Sequence, residues 1–298
     1  PLGWSKELNA SNVSNAYSVL SQNPEWLAKA YFYPVDEPLN VGRLDDINNY
    51  GKLLSEHFPG YKLITPMHVN YNLPGGDFFS YVSDYVNVWC PKTFFYNTFA
   101  EWFGNRELTY GCSIVNEVKL GSFRDRMWKE QQNGDELWWY VTRRPESPEI
   151  TLLMETEAVR HRILFWQQYA HGVDGFLYWG ANYWNSDTGT LDPWADMATV
   201  KNLSESVYGD GSLLYNGSSV GLDTACPSLR LAAIRDGVED YNLFVMAAEL
   251  LGQGELPVGE IIRRVGYENE SFFRTAFRRR YGVNPLEYRK QTGGKKKQ

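Results

Sequence analysis

A chain of 298 residues, 43% hydrophobic and without any apolar run near membrane-spanning length, reads as one or two folded domains with no membrane partner. Its 11 Trp, 20 Tyr and 15 Phe suit a thick core, and they also suit sugar binding, where flat rings stack on pyranoses. The net charge of −7 is uneven: residues 258–298 carry 11 Lys and Arg against 4 acids, which leaves 18 basic against 32 acidic residues elsewhere. An acidic body with a basic tail points to two modules with different partners.

The first residues, "PLGWSKELNASNVSN", lack the basic start and apolar stretch of a signal peptide, which leaves the compartment open. Residues 15–28 read as helical and lead into "YFYPVDEP", residues 31–38. This aromatic, β-branched strand ends in Asp36 and Glu37, between Pro34 and Pro38. Neighbouring side chains of a strand face opposite sides, so two adjacent acids share a cleft only where the strand ends. Leu44, Ile47, Tyr50, Leu53 and Leu54 then recur at helical spacing until "FPG". "KLITPMHV", "FFSYVSDY" and "VNVWCPK" follow, and residues 94–122 show no period. Next come a helix at "RDRMWKEQQNGDE", a strand at "LWWYVTRRP", a helix at "ETEAVRHRILFWQQYAHG" stopped by Gly172, and a strand at "VDGFLYWGANYW". A long loop precedes the last helix of the body, "SLRLAAIRDGVEDYNLFVMAAELLG". The three cysteines, Cys90, Cys112 and Cys226, have neither metal spacing nor a disulfide framework.

Strands alternating with helices predict an α/β fold with a parallel sheet. Five such units in series favour a TIM-like (β/α) barrel, here its C-terminal five strands, over a doubly wound sheet. No glycine-rich phosphate loop follows any strand, and no cofactor is expected. The expected domains are an N-terminally incomplete barrel over 1–252, a helix-turn-helix-like segment over 258–292 and a disordered basic end over 293–298. A partial barrel has open edges that invite pairing with a second copy.

Barrel active sites lie at strand C-termini. Those ends carry Asp36 and Glu37, then His68, Trp89, Tyr140, Trp179, Asn182 and Trp184. Rim aromatics beside paired acids favour a carbohydrate pocket, with Trp179 and Trp89 as stacking rings and Tyr140 and Asn182 as hydrogen-bond donors. Most glycosidases use two carboxylates on opposite sides of the scissile bond, roughly 5–5.5 Å apart for retention or about 6.5–9.5 Å for inversion. The last two strands end without one, and only Asp187 and Asp192 lie further into the loop. Substrate-assisted hydrolysis predicts that lack, because the 2-acetamido oxygen of the sugar attacks the anomeric carbon. One acid protonates the leaving oxygen while its neighbour orients the acetamido group.

"YFYPVDEP", "WWYVTRRP", "RILFWQQYAHGVDGFLYWGANYW" and "GDGSLLYNG…SLRLAAIRDGVEDYNL" together resemble the catalytic domain of glycoside hydrolase family 123, over about residues 20–250. The resemblance implies a TIM-like barrel and exo-acting β-N-acetylgalactosaminidase activity, or that of a related β-N-acetylhexosaminidase, through the acetamido group. It implies Asp36 as the acetamido-polarising residue and Glu37 as the general acid/base. Family members have earlier barrel strands and usually a β-sandwich ahead of the "DEP" strand, and neither stands in this sequence.

The tail breaks the barrel pattern. Ile261, Ile262 and Val265 form an apolar helix face, Gly266 a turn, and Phe272, Phe273 and Phe277 a second apolar face, with Arg274, Arg278, Arg279 and Arg280 outside. This is a helix-turn-helix reading with "ESFFRTAFRRRYG" as recognition helix. It resembles the second half of an AraC-type DNA-binding domain, which implies those arginines as DNA contacts. With one helix pair and an acidic body, the expected DNA binding is weak and blind to sequence. Two functions therefore stand: a glycoside hydrolase, or a sugar-responsive regulator whose barrel binds sugar without cleaving it.

Overall fold

A computed structural model describes residues 8–38, 40–67, 72–73, 76–93, 120–143, 149–186, 189–190, 192, 195–201, 206–254 and 256–292. They fall into two compact units, Pro1–Tyr140 with Gly175–Leu177, and Val141–Asp174 with Tyr178–Gln298.

The first unit opens with α1 (Ala10–Leu20), α2 (Pro24–Lys29) and α3 (Val41–His57), each started by an asparagine, Asn9, Asn23 or Asn40, whose side chain caps the first turn. The expected stop holds, since α3 ends at Phe58 and Gly60 takes a left-handed φ of 71°. The sheet consists of β1 (Ile64–Met67), β2 (Val88–Pro91), β3 (Glu136–Val141) and β4 (Gly175–Tyr178), in chain order. β1 runs parallel to β2, with Ile64 opposite Val88, and β2 parallel to β3, with Val88 opposite Glu136. Phe32 adds a single parallel bridge to Leu63 on the outer side of β1. So the first of the five expected strands is reduced to one rung: Pro34 has no N–H to extend the ladder. "FFSYVSDY" begins as a short helix, α4 (Phe78–Val82), and α5 spans Leu120–Gln132. The described residues show a mixed α/β fold built on this parallel four-stranded sheet, and the expected partial barrel is not established by it.

The pleat sorts the side chains. Ile64, Val88, Cys90 and Tyr140 share one buried cluster, with Tyr31, Tyr33, Trp138 and Leu177 packed against it. The alternate positions turn the other way. There Trp89 stacks on Phe79 of α4, and Phe32 meets Phe58 edge to face.

The second unit begins with α6 (Ala158–His171), closed by Gly172 at φ 71° as its sequence predicts. Short antiparallel pairs follow, β5 (Ala198–Lys201) with β6 (Ser206–Tyr208), and β7 (Leu214–Tyr215) with β8 (Cys226–Pro227). The 25-residue α7 (Leu229–Gln253) then runs into α8 (Val258–Arg264), α9 (Glu270–Tyr281) and α10 (Pro285–Thr292). Gly266, at φ 77°, turns the chain between α8 and α9. Ile261, Ile262, Val265, Phe273 and Phe277 are buried, as the pattern requires, but they close one core together with Tyr169 of α6 and Phe244, Ala247 and Leu251 of α7. The tail therefore has no core of its own. Among the described residues, no helix is long and apolar enough to cross a membrane.

His161 of α6 is 1% exposed. Burial, then the neighbouring charges of Arg230 and Arg160, lowers its pKa from 6.5 to about 4. The folded state holds this ring neutral while the unfolded chain protonates it below 6.5. Its contribution is therefore complete above pH 6.5 and is lost as pH falls toward 4. We expect a loss on the order of 3 kcal/mol across that window. Urea titrations of the parent and of His161→Gln between pH 7 and 4 check this; equal pH slopes in both chains would refute it.

Candidate active site

The segment 31–38 leaves the sheet immediately after its one rung. Phe32 and Val35 are buried, Asp36 is exposed and Glu37 half-buried. Glu37 has φ 35° and is the one non-glycine residue with positive φ among those described. Such a conformation costs a residue with a Cβ about 1–3 kcal/mol, and such strain clusters at functional sites. Here it solves the geometric problem of the pair. A left-handed residue at the strand end breaks the alternation, so both acids turn toward the same apolar cluster.

Each carboxylate meets a tyrosine of that cluster. The Tyr33 hydroxyl donates to Asp36 Oδ1 at 2.5 Å, and the Tyr140 hydroxyl donates to Glu37 Oε1. Burial, followed by the carboxylate that each phenol faces, pushes both hydroxyls far above a phenol's usual range, so both stay protonated donors. Tyr33 and Tyr140 pack in the same cluster, so the two carboxyl groups they hold lie on one side. Lys92, just past β2, completes the group: its ammonium lies 3.6 Å from Glu37 Oε1 and 5.5 Å from the centre of the Tyr140 ring. Lys92 and Tyr140 are paired across a parallel bridge, so the ends of β2 and β3 converge on Glu37.

The other expected site residues divide. Tyr140 joins the acids. Trp89 does not: it is fully buried, stacked on Phe79 with ring centres 4.0 Å apart, and its indole N–H donates to Asp135 at 2.8 Å. The reason is the pleat, which puts Val88 and Cys90 on the Tyr140 side and Trp89 on the other. His68 and Asp187 lie outside the described residues. Asp192 is exposed in a small turn closed with Asp196.

Trp179, Asn182 and Trp184 belong to the second unit. Trp179 is 46% exposed; Asn182 is exposed and pairs with Ser212; Trp184 donates to the Leu214 carbonyl at 2.8 Å. Sequence reasoning missed three residues. Tyr33 and Lys92 hold the acids, and Asp210 takes hydrogen bonds from Tyr178 at 2.8 Å and Trp179 at 3.1 Å. Lys92 was legible as a lone cation ending an apolar strand, and Asp210 as an acid between two glycines.

Of the four tail arginines, Arg278 and Arg279 are exposed on α9, and Arg274 is paired to Glu270 at 3.2 Å. Arg280 is turned inward. Its guanidinium lies over Tyr169 and Tyr281 and against Gly172, where it meets the carbonyl end of α6.

Comparison with known families adds a second line of evidence. The sequence profile of the glycoside hydrolase 123 catalytic domain matches residues 94–247, more than half of the chain. The chain belongs to glycoside hydrolase family 123. A helix-turn-helix domain of the AraC type matches residues 240–291. A solved structure of a family 123 glycoside hydrolase from Clostridium perfringens, described in connection with glycolipid glycan hydrolysis, is similar at 14% identity with a TM-score of 0.48. The match covers 99% of this chain and 46% of that one, so the chain spans under half of that protein's length. No curated protein matches it. The family 123 span begins after Asp36 and Glu37, so their assignment rests on the resemblance of "YFYPVDEP" and on the geometry.

Trp89 in this family 123 chain should act on stability rather than on sugar. Trp89→Ala leaves a cavity and an unpaired, half-buried Asp135, and we expect a loss of about 3–5 kcal/mol. Chemical denaturation measures it; an undiminished melt together with weakened sugar affinity would return Trp89 to the site.

Proposed function

We propose that this family 123 chain is a glycosidase of the β-N-acetylhexosaminidase type, acting from the chain end on β-N-acetylgalactosaminides by substrate assistance. The observation that carries this is the adjacent Asp36 and Glu37, turned to one side by a strained residue and each held by a tyrosine hydroxyl. In the first step, the 2-acetamido oxygen attacks the anomeric carbon while Glu37 gives its proton to the leaving oxygen. Asp36 accepts the acetamido N–H and stabilises the cyclic oxazolinium. Glu37, now a carboxylate, then takes a proton from the water that opens the ring at the anomeric carbon, with net retention. Tyr140 and Lys92 hold Glu37 in place through both steps, and Tyr33 does the same for Asp36.

General acid/base assistance contributes about 10²–10⁴-fold, and Glu37→Gln should lose that much on aryl β-N-acetylgalactosaminides with poor leaving groups and far less on activated ones. Asp36→Asn should lose turnover on all 2-acetamido substrates. Steady-state kinetics over a leaving-group series, with β-galactosides lacking the acetamido group as controls, decides it. Full activity in Asp36→Asn, or equal turnover of the β-galactosides, removes the substrate-assisted reading.

The helix-turn-helix match supports a second reading, DNA contact through α9. Of the four arginines, Arg278 and Arg279 are exposed on α9, whereas Arg274 is bound to Glu270 and Arg280 lies over Tyr169. Two phosphate contacts give a shallow salt slope of about −2 and weak affinity. Fluorescence anisotropy on random and palindromic duplexes at two salt concentrations tests this. Tight, sequence-selective binding at physiological salt would instead make the chain a regulator.

A further inference from the structure

The turn Gly209–Ser212 is built more elaborately than a connecting loop requires. Gly209 and Gly211 both take φ 73°, a region glycine enters freely. From below, the buried Arg230 of α7 clamps the turn. It donates to the carbonyls of Gly209 at 2.7 Å and Ser212, and also to that of Leu152 at 2.7 Å. Between the glycines, Asp210 is 5% exposed, and its Oδ1 accepts from both the Tyr178 hydroxyl and the Trp179 indole N–H. The Tyr178 hydroxyl in turn accepts the Gly211 N–H at 2.8 Å.

All of this converges on one indole. A Cβ at Gly211 would lie 2.3, 2.4 and 2.8 Å from three consecutive atoms of the Trp179 ring. Three such similar distances place Gly211 under the face of the ring rather than off its edge. Trp179 thus has one face backed by glycine backbone and its N–H fixed by a buried carboxylate, yet it remains 46% exposed. Tyr183 stands beside it at 62°, with ring centres 5.0 Å apart, which forms an aromatic corner. An indole this firmly held loses little freedom when a ligand covers it, so its contact area converts efficiently into affinity.

We propose that Trp179 and Tyr183 form a pyranoside-binding platform, that Trp179 stacks on the C–H face of the sugar, and that Asp210, Gly211 and Arg230 are positioning residues for it. Asn182, exposed and paired to Ser212 of the same turn, supplies an amide for a sugar hydroxyl. The ligand class extends the carbohydrate reading above, but the platform does not require the acetamido chemistry of Asp36 and Glu37.

The test is isothermal titration of the full chain with N-acetylgalactosamine and methyl β-galactoside, with Glu37→Gln run in parallel. Trp179→Ala should weaken binding about tenfold or more, the weight of an aromatic contact with its buried area. Trp179→Phe should recover part of the loss. Gly211→Ala, which leaves Trp179 in the sequence but pushes its ring off the turn, should match Trp179→Ala while the far-ultraviolet circular dichroism stays native. Glu37→Gln should keep the affinity. Binding unchanged in Trp179→Ala and Gly211→Ala overturns the platform, as does the absence of any pyranoside binding by the parent chain. Binding lost in Glu37→Gln but kept in Trp179→Ala also overturns it, and leaves the hydrolytic reading intact.

Discussion

The phase of one long helix governs the second unit. α7 presents Arg230, Gly237, Asp240, Phe244, Ala247, Ala248 and Leu251 inward, a stripe at helical spacing that runs from its first turn to its last. Its first turn holds the glycine turn through Arg230. Its middle passes close to α6, where Gly237 leaves no room for a Cβ beside Phe165, and Asp240 takes the Arg162 guanidinium and the Trp166 N–H. Its last two turns seed the core of the helix-turn-helix. The hydrolase and helix-turn-helix matches overlap at residues 240–247, inside this helix, so the two families are joined in the middle of a continuous hydrogen-bonded rod. One residue inserted there would rotate everything beyond it by about 100° and tear the shared core apart.

That continuity explains why the tail could be recognised from sequence but its setting could not. The periodicity of Ile261, Ile262, Phe273 and Phe277 shows which faces are apolar and where Gly266 must turn. It does not show what the faces cover. A composition shift at Val258 suggests a module boundary, whereas the packing runs through it to Tyr169 and Phe244. Arg280 follows the same rule. Its charge marks it as a surface residue, yet its stem and guanidinium lie on aromatic rings at the end of α6.

The sheet was legible because strand–helix alternation is a local signal, and its four strands lie at segments expected to form them, although residues 15–28 divide between two helices and "FFSYVSDY" begins as a third. The first expected strand failed at Pro34, which removes the donor needed for a second rung. In the candidate site, the acids and Tyr140 could be read because they end apolar strands. Trp89 misled because a strand end gives position along the sheet but not the face, and the face depends on register. Lys92 and Tyr33 become meaningful only once parallel strands bring their ends together, which no single segment encodes. The roles of Gly209 and Gly211 likewise depend on what approaches them from elsewhere in the chain.

The left-handed backbone of Glu37 also bears on how such a chain can decay. Glycine at that position would relieve the strain, and a glutamate codon is one base away from a glycine codon. A lineage released from any need for the acid would thus have a short, favourable route to a more relaxed turn. At position 37 a change that relaxes the backbone lies one base away, and the residue standing there is the carboxylic acid.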